Sequence, residues 1–421
     1  MSDRKRLLSN MASLFTLQGA NYVLPLVTLP YLVRVLGPEK FGLIAFAQAF
    51  IQYFVVATDY GFNLSATKDV AVYRNDPEKL GELVSAVMAI KLVLSVAGGL
   101  VLGVLVATIP TFHGHWSLYL VVYLAVAGAT LFPTWLFQGL ERMKDITWMN
   151  MGARLITTAS IFIFIHNPQD YLIAAGIQSV PVLLAALPAW LVLGRTREIV
   201  WAIPTIKGVR QQLHRGWHVF LSTAAINVYT SSNAFVLGLI AGPVAVGYFS
   251  AANKVVQAVQ GLLTPVTQTL YPHISTLAVQ SHEAALAFIR RVLPYIALAG
   301  LVLSSALLGA ATPIVHLVLG DQYNASIAIL QWLALLPFII ALSNVFGIQT
   351  MLTLGMNQTF SRILIASAVL NVLLVIPLSW RFAGIGAAMS MLITEVFVTV
   401  TMALVLHKRG INVYRSAAGT L

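Results

Sequence analysis

Stretches of about twenty mostly apolar residues recur along the whole chain, and about 20 are what a helix needs to cross a bilayer. We place such spans at 11–33, 41–61, 82–107, 116–138, 147–165, 171–193, 217–240, 246–270, 289–318, 326–353, 360–379 and 384–406. No alternating strand pattern recurs, so a β-barrel is not expected. Helices are the remaining way to satisfy the backbone in lipid. Composition agrees: 58% of the 421 residues are hydrophobic and only 9% are Asp, Glu, Lys or Arg. An ordinary soluble domain carries about 25% of these charged residues. That excludes a soluble enzyme and a disordered chain, and the lack of cysteine excludes a disulfide scaffold.

The net charge is +11, from 25 Lys plus Arg against 14 Asp plus Glu. In a soluble protein this balance would point to nucleic acid. In a membrane protein it reads as retention of cationic loops on the cytoplasmic side. With the N-terminus inside, 19 of the 25 cations fall in cytoplasmic segments. Arg34, Lys40 and Arg381 lie at outer loops or their edges, and Lys91, Arg154 and Lys254 fall inside spans. A missed span would invert every later loop, so this split supports an even span number with both termini cytoplasmic. Arg4, Lys5 and Arg6 precede the first apolar stretch, which is too long for a signal peptide and has no small-residue cleavage site. We read it as a retained span.

The longest inner loop is 194–216. It divides an N-terminal six-helix lobe, 1–193, from a C-terminal one, 217–406, followed by a cytoplasmic tail, 407–421. The halves echo each other. Gly37-Pro38 precedes Gly42 as Gly242-Pro243 precedes Gly247, at an offset of 205, with Ala45 and Ser250 following at matching spacing. Six spans per copy give both copies one orientation, so a pseudo-twofold axis would run along the membrane normal. The expected fold is thus an all-α polytopic membrane protein of twelve helices in two lobes with a central cavity. Prolines interrupt several spans, and the Pro25 and Pro30 pair in the first is the candidate hinge.

A charge at mid-bilayer costs about 2.5–3.5 kcal/mol on the insertion scale, so each one needs a reason. At 1.5 Å per residue, Lys254 lies about 12 Å below the outer end of its span and Lys91 about 13 Å from the inner end of its own. Glu395 lies about 16 Å into the last span, and Arg154 about 10 Å from the cytoplasm, within snorkelling reach. Arg34 and Asp59 sit at helix ends. Lys91, Lys254, Arg34, Arg154 and Lys40 are candidate substrate cations, matched to a phosphate or pyrophosphate. Glu395 and Asp59 are candidates for ion coupling or for a buried ion pair, such as Glu395 with Lys254. Asn21, Gln48, Gln52, Asn227 and Asn253 are candidates for sugar hydrogen bonds, as are Asn233 and Gln349, with bonding to neighbouring helices as the alternative.

Catalytic patterns are missing. The chain has no P-loop, no HExxH, no GxSxG and no large loop to house a catalytic site. His113 and His115 share one outer loop without a third ligand, a weak metal pattern. The expectation is a non-enzyme without cofactor or metal.

Several blocks carry a family resemblance. They are LQGANYVLPLVTLPYLVRVLG (17–37), GPEKFGLIAFAQAF (37–50), TDYGFNLSATKDVA (58–71), PTWLFQGLERMKDI (133–146) and VGYFSAANKVVQAV (246–259) with YPHIS (271–275). GIQTMLTLGMNQTF (347–360) is less specific. Together they resemble the Wzx-type O-antigen flippases, in the polysaccharide-transporter branch of the multidrug/oligosaccharidyl-lipid/polysaccharide exporter superfamily. The resemblance implies twelve helices in two lobes and a cationic lumen. It implies alternating access for an undecaprenyl-pyrophosphate-linked oligosaccharide, moved from the inner to the outer leaflet of the bacterial inner membrane. It also implies contact with polysaccharide polymerase and chain-length proteins. Arg34, Lys40, Asp59, Lys68 and Lys254 lie inside these blocks, whereas Lys91, Arg154 and Glu395 rest on depth alone. Two alternatives stay open: a drug or small-ion antiporter of the same superfamily, and a membrane glycan polymerase or ligase.

Overall fold

The computed structural model describes residues 3–196, 199–200 and 202–413; for 3–23, 25, 26, 196, 222, 229 and 230 the description is of the backbone alone. Nearly all of these residues are helical, and no strand occurs among them. Eight stretches are long and apolar enough to cross a membrane: Val27–Tyr73, Pro77–Thr108, Trp116–Gly139, Pro168–Arg195, Ser231–Gly261, His282–Gly309, Ser326–Leu352 and Asn357–Lys408.

The difference from the expected twelve has a local cause. Asp3–Asp59, Ile206–Gly261 and Asn357–Lys408 each run as one helix through an expected outer loop. Each leaves helical dihedrals at one place: Gly37 (φ 69°, ψ 171°), Gly242 (φ 80°, ψ 178°) and Ala383 (φ 46°, ψ −126°). These positions separate expected spans one from two, seven from eight and eleven from twelve. Glycine takes positive φ without a steric penalty; Ala383 takes it with strain. The segment expected as span five, 147–165, falls on the helix Met143–Phe164, which carries Lys144, Asp145 and Arg154 and is not among the eight apolar stretches.

Prolines shape the shorter pieces. Pro133 sits between Leu124–Leu131 and Thr134–Gly139, and Pro181 opens Pro181–Thr196. Pro265 and Pro337 occupy first-turn positions of Thr264–Gln280 and Leu336–Asn344, where a missing N–H costs no hydrogen bond. The helix Asp3–Asp59 continues through Pro25 and Pro30, and its break falls at Gly37.

The chain forms two compact units. The first is Met1–Leu36 with Ile44–Val228, and the second is Gly37–Leu43 with Tyr229–Leu421. In the first, Phe62, Val84, Trp135, Phe137 and Ala185 pack into a core. In the second, Ile289, Phe346, Met351, Val398 and Met402 do so. Outward surfaces are apolar as well: Val93, Val96, Leu100 and Val104, on successive turns of Pro77–Thr108, are all more than 60% exposed. A contiguous exposed apolar face of this kind suits lipid and not water.

Candidate substrate-binding residues

In the first unit the block at 58–71 forms a tight, closely packed chain reversal. The helix ending at Asp59 reverses into Phe62–Tyr73 through Tyr60 (φ 46°) and Gly61 (φ 75°). A Cβ on Gly61 would lie 2.7 Å from Val219 Cγ1, and the Tyr60 ring stacks on Phe220 at 4.9 Å. The turn places the Asp59 carboxylate against Lys91, which is 1% exposed. Lys91 Nζ donates to Asp59 Oδ1 at 2.8 Å and to the Ala129 carbonyl at 2.6 Å. The second Asp59 oxygen accepts from Asn63 Nδ2 at 3.3 Å. Further along, Asp69 accepts from Arg215 Nη1 at 2.7 Å, and Thr67 donates to the Trp135 carbonyl at 3.1 Å. The Asp69 carboxylate holds the Arg215 guanidinium above its ordinary pKa.

Other expected polar residues of this unit bond across helices. Gln48 Nε2 reaches Gln178 Oε1 at 3.5 Å and Gln52 Nε2 reaches Asn227 Oδ1 at 3.4 Å, while Asn227 Nδ2 donates within its own helix to the Thr223 carbonyl at 3.0 Å. Arg34 is exposed, just before the break at Gly37. Arg154 is half-buried on Met143–Phe164, and its guanidinium has no ion pair or hydrogen bond among the described residues. The side chains of Asn21 and Pro25 lie outside the described residues.

In the second unit Lys40 pairs with its neighbour Glu39 at 2.9 Å. Lys254 is half-buried on the helix that follows Gly242, and among the described residues it has neither an acidic partner nor a hydrogen bond. The adjacent Asn253 has a buried side-chain oxygen without a partner among the described residues. Glu395 is 7% exposed and accepts from the Ser343 hydroxyl at 2.8 Å. No ion pair joins it to Lys254 or to any other cation among the described residues. Gln349 Nε2 donates to the Thr267 carbonyl at 2.8 Å.

One polar cluster escaped the sequence reading. Asn371 is fully buried; its oxygen accepts from Ser232 at 2.9 Å, and its amide nitrogen reaches Asn233, Ser390 and Thr394 at 3.3–3.4 Å. It ties both halves of Asn357–Lys408 to the helix Ile206–Gly261. The legible signal was Ser390 and Thr394, four apart on one face of the last span, with Asn371 the only amide in the preceding apolar run.

Residues 7–278 match the family described as polysaccharide biosynthesis protein. A protein of Escherichia coli (strain K12) named as an O-antigen transporter is 39% identical over 95% of this chain and 97% of its own length. A Shigella dysenteriae protein of the same name is 30% identical over 93% of this chain and 98% of its own. Among solved structures, lipid II flippase MurJ in an inward closed conformation superposes with a TM-score of 0.73. It is 14% identical and covers 93% of this chain and 87% of its own. An inward-facing multidrug resistance MATE family transporter gives 0.67 at 15% identity, covering 92% and 94%. At such identities these two speak for the fold alone. The chain is a multi-pass membrane transporter and not a catalyst, and it belongs to the polysaccharide biosynthesis protein family, among the Wzx-type O-antigen transporters of the multidrug/oligosaccharidyl-lipid/polysaccharide exporter superfamily.

Proposed function

We propose that the protein is a flippase that carries an undecaprenyl-pyrophosphate-linked oligosaccharide from the inner to the outer leaflet of the bacterial inner membrane by alternating access. Both termini are cytoplasmic in this reading, in keeping with the cation split among the loops. The glycan and the pyrophosphate cannot enter hydrocarbon alone, because each polar group would give up its hydrogen bonds to water. They need a polar, cationic route through the protein.

The observation that carries this reading is Lys254. Its ammonium lies in a transmembrane helix with no carboxylate to neutralise it among the described residues, so its charge is available to an anion. Arg154, half-buried on Met143–Phe164 in the first unit, likewise has no carboxylate partner among the described residues. Arg34 and Lys40, near the outer end of the first span, would meet the substrate as it leaves. Lys91 is engaged by Asp59 and Ala129, so its charge is already matched within the protein. An unpaired cation at this depth suits an anionic cargo better than a cationic drug.

The test is complementation. A strain deleted for this gene receives wild type or Lys254→Ala, with surface O-polysaccharide and membrane abundance measured together. Wild type should restore display, and Lys254→Ala at equal abundance should restore less than a tenth of it. Failure of the wild type with its matching repeat unit would sink the flippase reading.

A further inference from the structure

The helix that bears Lys254 has two unlike faces. Ala251, Ala252, Val255 and Val256 are buried in the core of the second unit. Ser250, Asn253, Lys254, Gln257 and Gln260 follow at spacings of three, one, three and three. At 100° per residue they occupy an arc of about 120° and run about 15 Å along the helix, half the thickness of the hydrocarbon. Gln257 is exposed, and Asn253, Lys254 and Gln260 are half-buried.

Amides inside a membrane protein commonly serve to bond neighbouring helices. Gln48, Gln52 and Gln349 do so. Asn253, Gln257 and Gln260 differ: among the described residues their side chains bond no other helix, and Asn253 Oδ1 and Gln260 Nε2 are buried without a partner. An exposed carboxamide beside an ammonium at this depth cannot face lipid cheaply, since nothing there returns its hydrogen bonds. Carboxamides both donate and accept, which matches the hydroxyls of a sugar.

We propose that this face is a glycan-binding rail: Asn253, Gln257 and Gln260 exchange hydrogen bonds with sugar hydroxyls, and Lys254 holds the anionic group beside them. The rail rests on the flippase reading and deepens it by separating a sugar subsite from an anion subsite on one helix. Neutral amides spaced by a helical turn accept sugars of varied stereochemistry, because each can rotate to donate or accept.

Two measurements on the full chain test this. Purified protein is titrated with free repeat-unit oligosaccharide, cleaved from its lipid, and separately with inorganic pyrophosphate. Gln257→Leu/Gln260→Leu should weaken oligosaccharide binding at least tenfold and leave pyrophosphate binding within twofold. Lys254→Ala should do the reverse. In the deletion strain the double glutamine variant should lower surface polysaccharide at unchanged membrane abundance. If the double variant is poorly made, Gln257→Ala alone is scored, since that side chain is exposed and not packed. Oligosaccharide binding equal to wild type, or a wild type that binds none yet restores display, overturns the rail and leaves the flippase reading standing. A wild type that fails to restore display overturns both.

Discussion

Gly42 and Gly247 stand 205 residues apart, and each lies against the carbonyl of the proline that leads the other's segment: Gly42 on Pro243, Gly247 on Pro38. All four residues belong to the second compact unit. The reciprocity is what a twofold relation between two copies of one sequence element produces. It accounts for both glycines at once, because a Cβ on either would run into backbone, which cannot rotate away as a side chain can.

Gly42→Ala and Gly247→Ala should therefore each destabilise the protein, by about 1–3 kcal/mol or more for an overpacked site. The double variant should cost less than the sum, because one shift of the shared contact relieves both clashes. Thermal unfolding of the detergent-solubilised protein measures this. Two substitutions with no effect on the midpoint would show that the contact is loose.

Lys91→Met should leave Asp59 without its cation and cost about 3 kcal/mol, the low end for a broken buried pair because Asp59 is 24% exposed. Asp59→Asn should cost as much, by stranding the ammonium. The pair Asp59→Asn/Lys91→Met should recover part of the loss. A double-mutant cycle on unfolding midpoints gives the coupling, and strict additivity would mean that the two charges do not act on each other.

Twelve spans were expected because hydropathy marks where helices run, and the long apolar stretches and the helical backbone follow that pattern. Outer loops were harder to read. The expected boundaries near 37, 242 and 383 are single residues of bent backbone inside otherwise continuous helices, and hydropathy cannot tell a one-residue bend from a short loop. Depth singled out both Lys91 and Lys254, yet Lys91 is paired and Lys254, among the described residues, is not. The difference lies in Asp59, 32 residues away, whose carboxylate meets Lys91 only because Tyr60 and Gly61 reverse the chain. No spacing rule reports such a meeting. Asn371 was missed for a related reason: an isolated amide in an apolar run gains meaning only when Ser232, Ser390 and Thr394 converge on it.

Asp76 offers a test by pH. It caps Pro77–Thr108, accepting from the Lys79 backbone N–H at 3.1 Å and pairing with Lys79 Nζ at 2.7 Å. These bonds hold its carboxyl below the usual carboxylate range. A carboxyl so lowered stabilises the fold fully above its unfolded pKa of about 3.9, and the gain is lost as pH falls through the lower folded value. Asp76→Ala should lower the unfolding midpoint at pH 7, and its deficit should shrink as pH drops below about 4. A deficit that stays constant from pH 7 to pH 3 would mean that the charge contributes nothing.

Asn371→Ala should loosen the second unit more than Gln349→Ala, because the Asn371 carboxamide accepts from Ser232 and donates two N–H bonds among Asn233, Ser390 and Thr394, against one bond for Gln349. Interhelical hydrogen bonds in membranes are each worth about 0.6–2 kcal/mol, so two more of them put the gap at about 1–4 kcal/mol. Unfolding midpoints of the two variants decide it, and an equal or smaller loss at Asn371 would show that the cluster is incidental.

Flipping itself is the most direct measurement. The full-length protein is reconstituted into liposomes that hold a short fluorescent lipid-linked repeat unit in both leaflets. A membrane-impermeant oxidant then consumes the outward-facing glycan. With wild type the inner pool should be drawn out and consumed to completion, and Lys254→Ala at equal density should slow this at least tenfold. Inner glycan that stays protected with wild type as it does in protein-free liposomes would contradict the account.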